Sequence, residues 1–339
     1  MFVLDSDNKV TQNVPSVLII RVLEACNAGC FMCDFANSKD FYRFTSDDAR
    51  KLCEKPFTQK YKLVRLTGGE PLLLKDISDI VYCFKSYGLL TSIITNGWFL
   101  VDKYESLVKV GLDQVIVSCD GASAQTHDSF RRTSGLFKRL IQGICLLKQA
   151  APQITIRVNT VAGVHNVQEL VSLYRLLASV EVDQWSIIPL KSDSGTAQIK
   201  NLQRFRKHYS HFQNVISKEK GPELLGYSRQ WAGRNEEEEK ALYKGIKAMT
   251  PRTKCDLVNH VRYFIPKEKR VFPCNCVSHR KHSILLNSTE LTSAFESSGL
   301  NEARNWLSRY GPTYCTGCEP INAALGEGAI NLETNPMGF

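Results

Sequence analysis

The chain has no apolar run of the roughly 18 residues that a membrane-spanning helix needs. Its longest early run, Val17 to Leu23, is strand-sized and contains Arg21. The amino terminus also lacks the charged, apolar and small-residue zones of a secretory signal. No internal repeat or low-complexity tract is present. No recognised nucleic-acid-binding motif accompanies the formal charge of +9. Basic residues cluster at Arg204, Arg206, Lys207 and His208, and again from Lys267 to Lys281. That excess suits a solvated surface, an anionic substrate or an acidic electron-donor protein. Together these features lead us to expect a cytoplasmic protein.

What is present is a chain of 339 residues, 43% of them hydrophobic, enough for one large domain and an extension. From Val17 to about Leu190, short β-branched runs alternate with helix-length amphipathic segments. Strands are predicted at Val17–Leu23, Lys62–Thr67, Leu90–Thr95, Gln114–Ser118, Ile154–Thr160 and Gln184–Pro189. Helices are predicted near Asp47–Glu54, Ile77–Tyr87, Lys103–Val110, Phe137–Gln149 and Val167–Ala178. Such alternation implies an α/β fold, a parallel sheet covered by helices. Ligands of such sheets sit at the carboxyl ends of the strands. The chemistry is therefore expected after Leu23, Thr67, Thr95 and Ser118, and near Asn159 and Pro189. We divide the chain into a core to residue 195, a helical connection over 196–250 and a small domain with its tail over 251–339. The run Glu236–Lys240 reads as the opening of a helix ending near Met249. Val261–Ile265 and Arg270–Phe272, joined by a short polar turn, read as a β-hairpin.

Twelve cysteines need an explanation, because disulfides are rare in a reducing cytosol. Cys53, Cys83 and Cys145 lie in apolar helical runs and read as core, where a thiol packs like a small hydrophobe. Cys26, Cys30 and Cys33 are different, because they share one short loop directly after the first strand. Structural zinc favours four ligands, often two separated pairs, whereas here three come together. Three thiolates on a four-iron cubane leave one iron open to a ligand, and Gly29 lets the loop turn tightly. Gly68-Gly69 reads as a turn that faces this loop from the neighbouring strand. Asn96 and Asn159, at strand ends, suit either a ribose or carboxylate or plain capping. Ser118 and Asp120 alternate with Cys119. If the first two face the barrel mouth, Cys119 faces the helices. Arg131 and Arg132, after a His127-Asp128 loop, read as structural.

The motif Cys26-x-x-x-Cys30-x-x-Cys33 resembles the signature of the radical S-adenosylmethionine (SAM) superfamily. Thr67-Gly68-Gly69-Glu70-Pro71 is similar to that family's GGEP segment, whose backbone and Glu contact the amino group of SAM's methionine part. Thr95-Asn96-Gly97, Ser118-Cys119-Asp120-Gly121 and Asn159-Thr160 close strands as in related enzymes. The resemblance runs from Val17 to Leu190 and implies a partial (β/α)6 barrel of the radical SAM type. It implies a [4Fe-4S] cluster on Cys26, Cys30 and Cys33. For the cofactor it implies a site formed by Gly68, Gly69, Glu70, Pro71, Asn96, Ser118, Asp120 and Asn159. The implied chemistry is reductive cleavage of SAM to a 5′-deoxyadenosyl radical, with the electron supplied by a flavodoxin or ferredoxin-type protein.

Cys255, Cys274, Cys315 and Cys318 form a second constellation around the hairpin. Their spacing resembles the SPASM and shorter twitch domains, which implies a second, auxiliary [4Fe-4S] cluster. A zinc ribbon has the same outline. Cys276 reads as a spare ligand, a packed thiol or a hydrogen-atom donor to a substrate radical. Some sixteen residues precede the first strand, which leaves no room there for a leader-peptide-binding domain. We therefore expect a small polar metabolite as substrate: a sugar, aminocyclitol or nucleoside derivative that is oxidised, epimerised or decarboxylated. A peptide-modifying enzyme and a non-catalytic metal-binding scaffold are the alternatives.

Overall fold

The computed structural model describes residues 17–189, 202–225 and 261–272. Six strands alternate with helices through the first of these segments. They are β1 (Val17–Leu23), β2 (Leu63–Gly68), β3 (Leu90–Thr95), β4 (Gln114–Ser118), β5 (Thr155–Ala162) and β6 (Gln184–Pro189). All pair in parallel, each with its successor. A sequential parallel sheet is the wall of a partial (β/α)6 barrel, the α/β architecture expected from the alternation. A short parallel strand, β7 (Glu223–Leu225), extends the wall beyond β6. The expected hairpin, β8 (Val261–Ile265) and β9 (Arg270–Phe272), extends it at the other edge, with β8 parallel to β1. Its turn is a single 3-10 turn closed by Lys269 at a positive φ of 53°.

Side-chain alternation gives the sheet two unlike faces. One face carries Leu18, Ile20, Val64, Leu66, Ile93, Val115, Val117, Ile156, Val158, Trp185 and Ile187 into the main apolar core. Helices cover this face: α1 (Ser46–Cys53), α2 (Ile77–Ser86), α3 (Leu100–Lys109), α4 (Ala124–Arg131), α5 (Leu136–Ala150) and α6 (Leu170–Ser179). A seventh, α7 (Leu202–Ile216), adds Phe212 against Trp185 and Tyr174. Thr45 and Asp48 form a reciprocal capping box at the start of α1.

The opposite, lumenal face is polar in its lower half. Arg65 donates to Ser92 Oγ (3.3 Å) and Gln114 Oε1 (3.0 Å). Gln114 Nε2 reaches Gln184 Oε1 at 3.3 Å. Arg157 Nε donates to Asn159 Oδ1 at 3.1 Å. Buried polar groups are tolerated only when hydrogen-bonded, so this network fixes side chains that an apolar lumen would leave interchangeable.

Two local expectations are corrected. The stretch around His127-Asp128 is not a loop but lies in α4, capped by Ser123, whose side chain accepts from the Thr126 N–H. The basic cluster at 204–208 lies in α7, within the connection expected to be helical. Cys145 is exposed, because α5 buries Leu136, Leu140, Gly143, Ile144 and Leu147, and position 145 falls just off that stripe. Cys53 and Cys119 are buried as expected, and Cys83 packs partly against the core.

Candidate active site

The site begins where β1 ends. The main chain after Leu23 folds back on itself: Phe44 N–H donates to the Val22 carbonyl, and Leu23 bridges Arg43. Within this loop Cys26 N–H donates to Ser38 O, and Asn37 N–H to Ala28 O, each at 3.0 Å. Cys33 N–H closes a turn onto Cys30 O. Cys26, Cys30 and Cys33 are thus carried on a loop tied by its own backbone. Cys26 is half-buried, Cys30 is buried and Cys33 is exposed. Burial pushes the Cys26 thiol up to about 11, against the Ala28 N–H that donates to its sulfur. Burial also raises Cys30, where Arg131 opposes it.

The end of β2 holds this loop from the side. Gly69 N–H donates to Leu23 O (3.0 Å) and Glu70 N–H to Ala25 O (2.9 Å). A Cβ on Gly68 would stand 2.1 Å from the Leu23 carbonyl oxygen, and one on Gly69 2.1 Å from that of Ala25. Gly68 also has a φ of 148°, outside the range that side chains favour. The two glycines are therefore required for the segment to lie against the residues that lead into Cys26.

Residues 20–177 match the family model described as the radical SAM superfamily. The chain carries a radical SAM domain. Among curated relatives, the AdoMet-dependent heme synthase of Methanosarcina barkeri is 29% identical over 183 residues, covering 52% of each chain. The probable GTP 3′,8-cyclase of Saccharolobus solfataricus is 30% identical over 179 residues, covering 51% of this chain and 56% of the relative. The chain spans about half the length of the curated relatives it matches. Among solved structures, SuiB of Streptococcus suis bound to S-adenosylmethionine superposes with a TM-score of 0.64 at 14% identity. That likeness covers 87% of this chain and 68% of SuiB, and it establishes the fold.

The donor set of the radical SAM domain fits an iron–sulfur cubane. The three thiols are near enough for Cys30 and Cys33 to act electrostatically on Cys26. A cubane spaces its thiolates over separate irons, so a loop of this kind suits it better than one zinc ion.

The other sequence-predicted residues lie along the same rim, and two of them are fully buried carboxylates. Glu70 is fully buried. Its carboxylate accepts from Leu72 N–H (3.0 Å), Thr95 Oγ1 (2.6 Å) and Asn96 N–H (2.6 Å). Through these three hydrogen bonds the Glu70 side chain fastens the end of β2 to the end of β3. Pro71 is buried and opens the following 3-10 turn. Asp120 is also fully buried, and its oxygens take Arg131 Nε and Val161 N–H, each at 2.7 Å.

Asn96 does reach the cysteine loop, donating from Nδ2 to Asn27 Oδ1 at 2.9 Å and approaching Cys26 Sγ at 4.0 Å. Its Oδ1 accepts from Trp98 N–H, so it caps the strand end as well. Ser118 and Asn159 pair across β4 and β5 at the rim, both half-buried. Cys119 faces the helix side. Cys255, Cys274, Cys276, Cys315 and Cys318 lie outside the described residues, as do the helix expected to end near Met249 and the tail.

Arg131, read from the sequence as structural, also reaches the cysteine loop. It is buried, paired with Asp120, and its Nη1 lies 3.8 Å from Cys30 Sγ. The cap at Ser123 was the available signal, because a helix starting there carries position 131 on its last turn back toward the barrel.

Proposed function

We propose that the chain is a radical SAM enzyme acting on a small, polar, anionic metabolite in the cytoplasm. Cys26, Cys30 and Cys33 hold one [4Fe-4S] cluster with an open iron for SAM. The observation that carries this reading is the seating of the three-cysteine loop against Gly68-Gly69-Glu70, with Asn96 beside it. When bound, cluster and SAM together supply a 5′-deoxyadenosyl radical able to take hydrogen from an unactivated carbon. The chain's own residues orient and enclose. The rim positions Ser118 and Asn159 and the backbone of Gly69 line the place where SAM would lie.

Below the rim, Gln114, Gln184, Ser92 and Asn159 offer a polar lumen. Arg65 and Arg157 make it cationic, which favours a carboxylate or phosphate on the substrate. The names of the two curated relatives concern small molecules, heme and GTP, and this supports a metabolite over a peptide. Oxidation, epimerisation and decarboxylation remain the reaction classes of this proposal, and a flavodoxin or ferredoxin-type protein its electron donor. Among the described residues no helix is long and apolar enough to cross a membrane.

Cys255, Cys274, Cys315 and Cys318 hold an auxiliary [4Fe-4S] cluster of twitch type in this reading. The hairpin supports it. β8 runs parallel to β1 and β9 runs back, so the open end of the hairpin, toward Cys255 and Cys274 in sequence, lies away from the rim. An auxiliary cluster suits removal of an electron from a substrate radical. Cys276 is then a hydrogen-atom donor. Unchanged solvent deuterium incorporation and turnover in Cys276→Ala would remove that role.

Anaerobic reconstitution tests the whole reading. The chain should take up about eight irons, two cubanes, and release 5′-deoxyadenosine from SAM when reduced. Cys33→Ser should abolish that release. A colourless protein with tightly held zinc and no cleavage would overturn it in favour of a scaffold.

A further inference from the structure

Arg131 joins the cysteine loop to the far side of the barrel rim. It is the last residue of α4, and the chain leaves it through Arg132 in the left-handed region, at a φ of 49°. Its Nε donates to Asp120 Oδ2 at 2.7 Å, and its Nη1 points to Cys30 Sγ at 3.8 Å. Asp120 cannot follow a moving partner. Its other oxygen accepts from Val161 N–H, its own N–H donates to His127 Nδ1 at 3.0 Å, and its carbonyl accepts from Asn166 Nδ2 at 2.8 Å. The guanidinium is therefore clamped from behind, with its free edge on one thiol. Neither Cys26 nor Cys33 has a cationic neighbour of this kind among the described hydrogen bonds.

We propose that Arg131 is a positioning residue for the cluster: held by Asp120, it fixes the Cys30 sulfur for ligation and keeps a permanent positive charge at that corner. The inference rests on the reading of Cys26, Cys30 and Cys33 as ligands and assigns a task that the motif itself does not contain. A guanidinium remains charged at any working pH, so its influence is constant. When one electron passes from a low-potential donor to the oxidised cluster, the cluster gains a negative charge and nothing else need move. A fixed cation nearby stabilises that reduced form, and the stabilisation is large where water is excluded. Asp120 offsets part of this charge but stands behind the guanidinium, so the pair presents its positive end to the sulfur.

The test uses the full chain, reconstituted anaerobically, with SAM absent and dithionite as the electron donor. Iron content and the reduced cluster's electron-spin signal are followed against solution potential. In Arg131→Gln, Asp120 is left as an uncompensated charge. The ratio of reduced to oxidised cluster at the wild-type midpoint should fall about tenfold. Arg131→Lys keeps the charge and should stay within about twofold. Asp120→Asn removes the offsetting anion and should shift the ratio the other way. A merely structural pair would alter iron content or melting without this opposition of sign. Equal midpoints in all four proteins would overturn the proposal. So would an unchanged midpoint in Arg131→Gln together with weakened SAM binding, which would make Arg131 a cofactor anchor. A wild-type chain that takes up no cubane would sink both this inference and the function it rests on. A wild-type cubane with unmoved variants would sink the inference alone.

Discussion

The rim of the barrel and the helix-covered face of the same sheet are built by opposite means. The covered face is held by alternating apolar side chains, Leu18, Val64, Ile93, Val115, Ile156 and Trp185 among them, against the helices that cover it. Its attractions are non-directional, and many aliphatic sets could replace it. The rim is held by single directed contacts: Gly69 N–H to Leu23 O, Glu70 to Thr95 and Asn96, Asp120 to Arg131. No side chain can be added at Gly68 or Gly69 without displacing backbone. One face tolerates change by degrees and the other fails at single atoms, and each can be probed separately.

Gly69→Ala should have the largest effect. Its Cβ would meet the Ala25 carbonyl oxygen at 2.1 Å, and the only relief is to push the strand end away from the loop that carries Cys26. We expect iron uptake at the first cluster to fall by about tenfold or more, with any stability loss of the order of 1–3 kcal/mol. Iron content per folded chain, read beside a denaturant melt, checks this. Full iron loading would show that the loop is not braced by β2.

Leu147→Ala is the matching change on the covered face. Leu147 is fully buried on α5 within the apolar core, and its truncation should cost about 2–5 kcal/mol. Iron per folded chain should be unchanged. If loading fell in step with stability, the division between rim and covered face would be false.

Glu70 lies between the two regimes, a carboxylate buried as deeply as a leucine but fully hydrogen-bonded. Burial pushes its carboxyl from an ordinary 4.5 up to about 7, against the pull of Thr95, Asn96 and Leu72. The fold therefore binds this proton more tightly than the unfolded chain does. The stabilisation from this group is complete below about pH 4.5 and is lost as pH rises toward 7. Glu70→Gln should flatten that part of the stability profile. It should also cost about 1–3 kcal/mol, because an amide cannot accept all three hydrogen bonds. Denaturant melts of both proteins across this pH range check the sign. A stability that rises with pH over this window in the wild type alone would contradict it.

These contrasts also explain what the sequence disclosed. The strands β1, β3, β4 and β6 were legible to the residue, because each is a β-branched run bounded by turn chemistry. Their parallel order followed from the intervening helices. The cysteine loop and the glycine pair were legible because only special residues serve there. The protein partners of Glu70 and Asp120 were not. A carboxylate next to a strand end does not announce in sequence which backbone N–H groups converge on it. Helix α4 was hidden for another reason: Ala124–Arg131 is short and polar, with Phe130 as its single large apolar residue, and only the Ser123 cap announces it. The approach of Arg131 to the cysteine loop was hidden along with that helix.

The smallest expected effect concerns a cysteine. Cys145 lies in Ile144-Cys145-Leu146-Leu147, a run whose composition alone suggests a core. The stripe of α5 decides otherwise, because burial follows 136, 140, 143, 144 and 147 with helical spacing and leaves 145 on the solvent side. Cys53, by contrast, is sealed on the buried side of α1, where burial raises its thiol well above the usual range. Exposure with little packing means that Cys145→Ser should change stability by no more than about 0.5 kcal/mol. Iron content should not move, because the thiol stands on the helix side of the sheet and the cluster loop on its rim. A thiol-alkylating reagent applied to the folded, cluster-loaded chain should label Cys145 and spare Cys53. Iron loss in Cys145→Ser would mean that this thiol serves the clusters after all, and that exposure on α5 is a poor guide to which cysteines the chemistry uses.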